Sequence, residues 1–391
     1  MKNIFTYFTN NKDFTLLAFD AITCFEGDDV DALDAFLNRH KEDYRFGFVS
    51  YTSHNHPSNK KDKIGFPKIG FFVPRYVVEI DKKGTLTYLK GNKNGYSSRK
   101  IDGFLNHSKG ESRNQVQLES QLTQSEYLTQ INALQADMNR EKVGVVVFCQ
   151  EFYAEKQEIN PKTTYFQLNQ KSKSPFSCFV QWNEKYVLSA SPERFIKKEG
   201  TKLITQPIKG TAKRGKTQEE DEAFKNRLLS SEKEIEENTL VVEGIKNDLM
   251  QVAKKETVDV ESFSQIHSFE TVHQLISTIS AEIEPETSFG TILKTVFPMG
   301  SMVGFPKEKA LKLLDKYEAF NRGLYSGTIG YIQPNGNFDF NVVIRSILYD
   351  DENKTIICPV GGGITLQSSP EDEYNECLIK LNVLQDTLNN V

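Results

Sequence analysis

A chain of 391 residues can form one large domain or two ordinary ones around a sizeable core, and 38% apolar with 26% charged residues describes an ordinary soluble protein. A net charge of −5 and a pI near 5.8 argue against nucleic acid, whose phosphates must be met by clustered positive charge. No apolar run approaches a membrane span, "MKNIFTYFTNNKDF" breaks up too early for a signal peptide, and five cysteines without C-x-x-C spacing suggest reduced thiols in the cytoplasm.

From Phe14 to about Leu89, short alternating segments ("FGFVSY", "KIGFFVPRYVVEI", "GTLTYL") predict strands between polar turns. "HNHP", His54 to Pro57, has no second ligand pair nearby and reads as a polar surface loop rather than a metal site. Gly91 to Gln121 is dominated by Asn, Ser, Lys, Gly and Gln and reads as a solvated connection. It would divide an N-terminal strand-rich lobe, residues 1–105, from a second domain, residues 120–388. Thr123 followed by Glu126 is a capping box, continued at helical spacing by Tyr127, Ile131, Leu134 and Met138. Strands follow in "VGVVVFCQEF", "FSCFVQW", "KYVLSASPERFIKK" and "TKLITQPIKGT", then a long helix from about Glu232 to Val252. The loop "FPMGSMVGFPK" opens a helix at Pro306, three more strand segments follow, and a capped helix closes the chain. Strand-rich segments interrupted by isolated helices predict an α+β fold with sheets packed together and helices outside.

Four places carry candidate chemistry. In "QPIKGTAKRG", Lys209 is either a solvated loop charge, as most of the 48 Lys and Arg must be, or a placed reactive group. On the long helix, Glu234 and Glu237 fall in the apolar stripe of Val241, Ile245 and Leu249. Either they meet a cation or a proton there, or that end of the helix protrudes into water. On the last helix Ser369, Pro370 and Asp372 form the cap, Glu373 joins the buried line of Cys377, Leu381, Leu384 and Leu388, and Glu376 and Lys380 flank it. Acids in a first turn are also ordinary complements of the helix dipole, yet two E-x-x-E pairs near a core face suit Mg²⁺. Gly361, Gly362 and Gly363 can turn backbone N–H groups toward an anion or make a flexible turn, and Arg345, inside an apolar strand, wants an anionic partner or a buried salt bridge.

Together these segments resemble the chorismate-utilising enzymes, which include anthranilate synthase component I, aminodeoxychorismate synthase component I and the isochorismate and salicylate synthases. The resemblance runs from about Thr123 to Leu384 on "SASPERF", "QPIKGT", "EIEENTLVVEGIKNDL", "FPMGSMVGFPK", "SGTIGYI", "VVIRSI", "GGGI" and "SSPEDEYNECLIK", in the family's order, and the first lobe matches only loosely. It implies a four-layer α+β sandwich that binds chorismate and Mg²⁺ between two large sheets. It also implies that Glu237 and Glu376 ligate Mg²⁺, with Glu234 and Glu373 on metal-bound waters. Arg345, Lys380 and the Gly361–Gly363 amides would grip carboxylates, Glu193 would protonate the departing C4 hydroxyl, and Thr211 and Tyr331 would line the pocket.

Within that family "PIKGT" resembles the aminodeoxychorismate synthases, whose relatives carry alanine at the lysine. There the lysine is held to attack C2 of chorismate and expel the C4 hydroxyl, after which ammonia adds at C4 and displaces it. The product leads to 4-aminobenzoate and folate. This chemistry needs a neutral amine, so Lys209 is expected below its ordinary ~10.4 through partial burial near Arg345, Lys380 and Mg²⁺. Anthranilate synthase component I, isochorismate synthase and a catalytically silent chorismate-binding subunit are the alternatives. The apolar strand at about Val145 lacks the water-activating lysine of isochorismate-type relatives and the glutamine of many aminating ones. Gln274, beside His273, stands where many relatives carry histidine. No cysteine lies in a G-x-C-x-G-like turn, so ammonia is expected from a separate glutamine amidotransferase subunit.

Overall fold

The computed structural model describes residues 2–10, 14–53, 60–106, 115–270 and 272–389; "HNHP" lies outside them. Most strands join one antiparallel ladder that folds over on itself. From one edge its order is Glu119–Ser120, Phe152–Ala154, Thr355–Ile357, Ser346–Asp350, Lys185–Ser191, Phe176–Trp182, Ile4–Asn10, Phe14–Gly27 and Ile69–Ile80. It continues through Arg45–Val49, Thr328–Ile332, Phe338–Val342, Arg194–Glu199, Lys202–Gln206, Val272–Glu282 and Asp259–Ser268. The corner is made by the two longest strands, Phe14–Gly27 and Ile69–Ile80. Their register shifts between Ala21 and Thr23, next to Asp20 at φ 60°, which bends the pair from one layer into the other.

Side-chain alternation then builds two large sheets with a core between them and helices outside. Phe8 points inward to rings of the opposite sheet, 5.9 Å from Phe46 and 6.1 Å from Tyr331, and Trp182 meets Phe48 at 5.0 Å. Its neighbour Tyr7 points outward, 5.1 Å from Phe104 and 5.7 Å from Tyr165 on the flanking helices Gly95–Leu105 and Pro161–Ser172. A separate three-stranded sheet, Gly304–Phe305, Val145–Gln150 and Val360–Thr365, packs beneath helices Gln124–Glu141, Lys307–Tyr317 and Pro370–Leu388. This is the α+β sandwich the sequence implied. Residues 1–105 and 120–388 share the ladder, since Ile4–Asn10 pairs with Phe176–Trp182 and Arg45–Val49 with Thr328–Ile332.

Two expectations are corrected. The segment read as strands contains a helix, Val30–Arg39, capped by Asp29 and burying Leu33, Phe36 and Leu37. The segment read as a solvated connection contains another, Gly95–Leu105, with an Asn94 capping box. Its polar composition masked Ile101 and Phe104, which are spaced by three and buried, so one apolar stripe outweighed many polar neighbours.

Candidate active site

A cavity of about 470 Å³ collects nearly all of the candidate residues, from segments far apart in the chain. Strand Ile208–Lys213 supplies Lys209 and Thr211 at a bulge. Ile208 pairs with Ile276 and Thr211 with Gln274, so Lys209 and Gly210 together face one residue of the partner strand. Gly210 takes φ 85°, a backbone conformation that favours glycine, and the bulge re-aims Lys209 into the cavity wall. Helix Glu232–Met250 brings Glu234 and Glu237 at its N-terminal end and is tied to strand Val272–Glu282 where buried Asn238 donates to Ser277 Oγ at 2.9 Å. Helix Pro370–Leu388 brings Glu376 and Lys380.

Charge pairing orders these groups. Lys209 Nζ, 8% exposed, donates to Glu237 Oε1 at 2.6 Å, and Lys380 Nζ lies 2.7 Å from Glu376 Oε1 and donates to the Gly361 carbonyl at 2.6 Å. Lys233 bridges Glu373 at 2.5 Å and Glu376 at 3.8 Å. Burial works against the Lys209 charge, but Glu237, Glu193 and Glu234 outweigh it and hold the ammonium above the ordinary lysine value. The expectation of a depressed Lys209 is therefore corrected: its nearest partner is the carboxylate of Glu237, not a cation. Burial, with Glu237 and Glu376 nearby, pushes Glu234 up to about 7. Burial also opposes the Glu376 charge, yet Lys380, Lys233 and Lys209 leave its carboxyl below the usual value. Glu193, in the turn before Arg194–Glu199 and 5% exposed, is pushed by burial up to about 7 against the Ser301 hydrogen bond and Lys209.

The glycine triplet is part of the strand Val360–Thr365, not a loop. Gly361 sits opposite Cys149 and Gly363 opposite Val147. On the far side of strand Val145–Gln150, the Cys149 N–H donates to Glu318 and the Val147 carbonyl accepts from Arg322, so these two pairs are the non-hydrogen-bonded kind. The N–H groups of Gly361 and Gly363 thus point to the strand's other edge, where Lys380 meets Gly361. A Cβ at Gly363 would lie 1.8 Å from Glu237 Oε1, so glycine there admits the carboxylate.

Arg345 lies not inside a strand but in the break between Phe338–Val342 and Ser346–Asp350, at φ 52°. Its guanidinium lines the cavity and makes no ion pair or side-chain hydrogen bond among the described residues. Burial lowers its pKa from the ordinary arginine value against Tyr325 and Glu376. Arg345 is half-buried, and an unpaired guanidinium at a cavity wall leaves positive charge open to an anion.

Some placements differ from expectation. Tyr331 does not line the cavity: its strand turns it into the inter-sheet core, 5.7 Å from Phe46. Tyr325, just upstream, lines the cavity instead, as does Ser301 in the loop "FPMGSMVGFPK", and neither was singled out from the sequence. Glu373 is buried behind the cavity wall, with Oε2 lacking any hydrogen-bond partner among the described residues. Val147, not Val145, faces the cavity from its strand, and it too is apolar. His273 turns away from the cavity into a hydrogen-bonded row, Ser268 Oγ at 2.8 Å and Asp221 at 2.9 Å, with Asp221 held by Arg214.

The donor set suits a hard divalent cation. Four carboxylates from two helices stand against Lys209, Lys233 and Lys380, Glu234 is raised by burial and then by its neighbours' charge, and Glu373 Oε2 is orphaned among the described residues. Among the described residues no three His, Cys, Asp or Glu side chains close on one point; the ammonium groups pair with the acids instead.

The fold is a doubled antiparallel α+β sandwich with an acid-lined cavity that also carries Arg345 and Lys380. The chain belongs to the family of chorismate binding enzymes, which matches residues 5–386. It is 38% identical over 224 residues to the chloroplastic aminodeoxychorismate synthase of Arabidopsis thaliana, covering 56% of this chain and 24% of that protein. It therefore spans about a quarter of that relative's length. It is 29% identical over 334 residues to anthranilate synthase component 1 of Lactococcus lactis, covering 82% and 73% of the two chains. Anthranilate synthase component I of Streptococcus pneumoniae shares the fold with a TM-score of 0.82 at 22% identity, over 95% of this chain and 92% of that one.

Proposed function

We propose that the chain aminates chorismate at C4 to give 4-amino-4-deoxychorismate, with Mg²⁺ and with ammonia from a separate glutamine amidotransferase, on the route to 4-aminobenzoate. The observation that carries this reading is Lys209, buried at a cavity bulge among Glu193, Glu234 and Glu237. A buried lysine among acids, in a cavity that also holds an unpaired arginine, is a placed group rather than a solvated charge. The chorismate carboxylates are met by Arg345, Lys380 and the N–H groups of Gly361 and Gly363. Glu193, protonated up to about pH 7, gives its proton to the leaving C4 hydroxyl, which departs as water. Lys209, once deprotonated, forms the bond at C2 as the ring double bond shifts, and ammonia then bonds at C4 as the C2–N bond breaks.

Glu237 and Glu376 would hold Mg²⁺, with Glu234 and Glu373 on its waters. When bound, the ion would supply positive charge against a substrate carboxylate. Glu237, as a metal ligand, would no longer be free to hold Lys209 as an ammonium. A separate ammonia source fits the thiols. Burial pushes Cys149 and Cys178 up to about 12 and raises Cys358 and Cys377 as well, the reverse of an activated nucleophile.

The relatives include anthranilate synthases, so the test is product identity. Incubation with chorismate, Mg²⁺ and an ammonium salt, read by mass spectrometry, should give 4-amino-4-deoxychorismate. Anthranilate or isochorismate would replace this reading with another family chemistry, and unchanged chorismate would leave a binding subunit.

A further inference from the structure

We infer that Gln274 is a specificity-determining ligand contact whose side-chain amide receives a neutral O–H or N–H group of the bound reactants. Gln274 lies on strand Val272–Glu282, opposite Thr211 on one side and His267 on the other. It is 3% exposed, its Oε1 is buried without a partner, and its side chain makes no hydrogen bond among the described residues. A buried amide left unpaired lowers stability, so this one calls for a partner that the protein itself does not supply.

The walls around it say what kind of partner. Gln274 lines both the main cavity and an adjoining chamber of about 210 Å³. Thr211 and Arg345 are shared with it, and the smaller chamber adds Lys171 and Lys173 with no carboxylate among its described lining residues. The main cavity carries Glu193, Glu234, Glu237 and Glu376. Lys173 is paired with Glu270 and Lys171 donates to the Asp386 carbonyl, so Gln274 stands where the acid-lined space gives way to one with no lining carboxylate among the described residues. Carboxylate groups of a ligand are served there by Arg345, and an amide oxygen repels them. The buried Oε1 is an acceptor only, so it selects a hydrogen-bond donor. Resting on the amination reading, two sources offer that donor: the hydroxyl of chorismate and the incoming ammonia.

Gln274→Leu and the closer isostere Gln274→Met remove the amide. The measurements are chorismate affinity by calorimetry without ammonia, steady-state kinetics with each reactant varied, and Tm. Both variants should melt at or above the native temperature, because an unsatisfied polar group has been replaced by an apolar one. If the amide holds the hydroxyl, chorismate affinity should fall about 10-fold. If it holds ammonia, chorismate affinity should stay while KM for ammonia rises about 10-fold. Chorismate affinity and ammonia KM both within twofold of native would overturn the inference. So would a lower Tm in both variants accompanying any loss, since that marks a structural role. Native protein that binds chorismate without aminating it would sink the amination reading alone, and the binding arm would still decide Gln274.

Discussion

Lys209 Nζ sits 2.6 Å from Glu237 Oε1, so the proposed nucleophile and a proposed metal ligand are partners in one buried ion pair. Lys209→Ala should remove most C4 amination, yet leave chorismate affinity within a few-fold because the proposed anion contacts are Arg345, Lys380 and the glycine strand. It should also cost stability, on the order of 3 kcal/mol, because Glu237 is left buried without its counter-charge. Product analysis and denaturant titration check the two halves. Native-rate amination by the variant would make Lys209 a structural counter-ion.

The same pair makes the metal testable without turnover. Mg²⁺ should raise the native Tm, while Glu237→Gln and Glu376→Gln should each abolish turnover and lose that thermal response. A variant that keeps full activity at limiting Mg²⁺, or keeps the native Tm response, removes its residue from the metal site.

Much of this was readable from spacing. The caps at Thr123 and Ser369 set two helices to within a residue, and the wheel positions placed Glu373 on the buried line of the last helix. What could not be read was pairing over distance. Glu237 is 28 residues from Lys209, and nothing local announces that it holds the lysine as an ammonium. Strand alternation shows which residues share a face but not which layer that face meets. Tyr331 is buried, as an apolar-strand tyrosine should be, but against Phe8 and Phe46 rather than the cavity. Tyr325 lies before that strand, where alternation says nothing.

Glu193 predicts a pH profile. A general acid must be protonated, and burial pushes this carboxyl up to about 7. At saturating Mg²⁺, turnover should fall above about pH 7, approaching tenfold per unit. Glu193→Gln should be inactive at every pH. Stability follows the same sign. Between the ordinary glutamate value of about 4.3 and the folded value, the native state binds the extra proton. The contribution is whole below that window and is lost as pH rises through it. A flat rate profile from pH 6 to 9 would remove Glu193 as the acid.

Arg345 should separate binding from folding. Its guanidinium is half-buried with no ion-pair partner among the described residues, so Arg345→Met removes a charge that a bound anion would neutralise. Chorismate affinity should fall by about 30-fold or more, from a charged contact of roughly 2–5 kcal/mol, with Tm unchanged or higher. Equal affinity in the variant, measured by calorimetry, would place the substrate carboxylates elsewhere.

Gly363 offers the sharpest steric test of how the site is assembled. The Glu237 carboxylate approaches the strand Val360–Thr365 so closely that a Cβ on Gly363 would stand 1.8 Å from Oε1. Gly363→Ala must therefore displace Glu237, which loosens its hold on Lys209 and withdraws one proposed metal ligand together. Gly362 is the control. An added Cβ there meets Glu373 Oε2 at 3.3 Å and Lys380 Nζ at 3.6 Å, side-chain ends that can yield. Gly363→Ala should lose turnover by about 100-fold or more, roughly the effect of misplacing a reacting group by an ångström, and should lose the Tm response to Mg²⁺. Gly362→Ala should lose much less and keep that response. Equal, small effects of the two substitutions would show that the Glu237 carboxylate does not need its place against this strand.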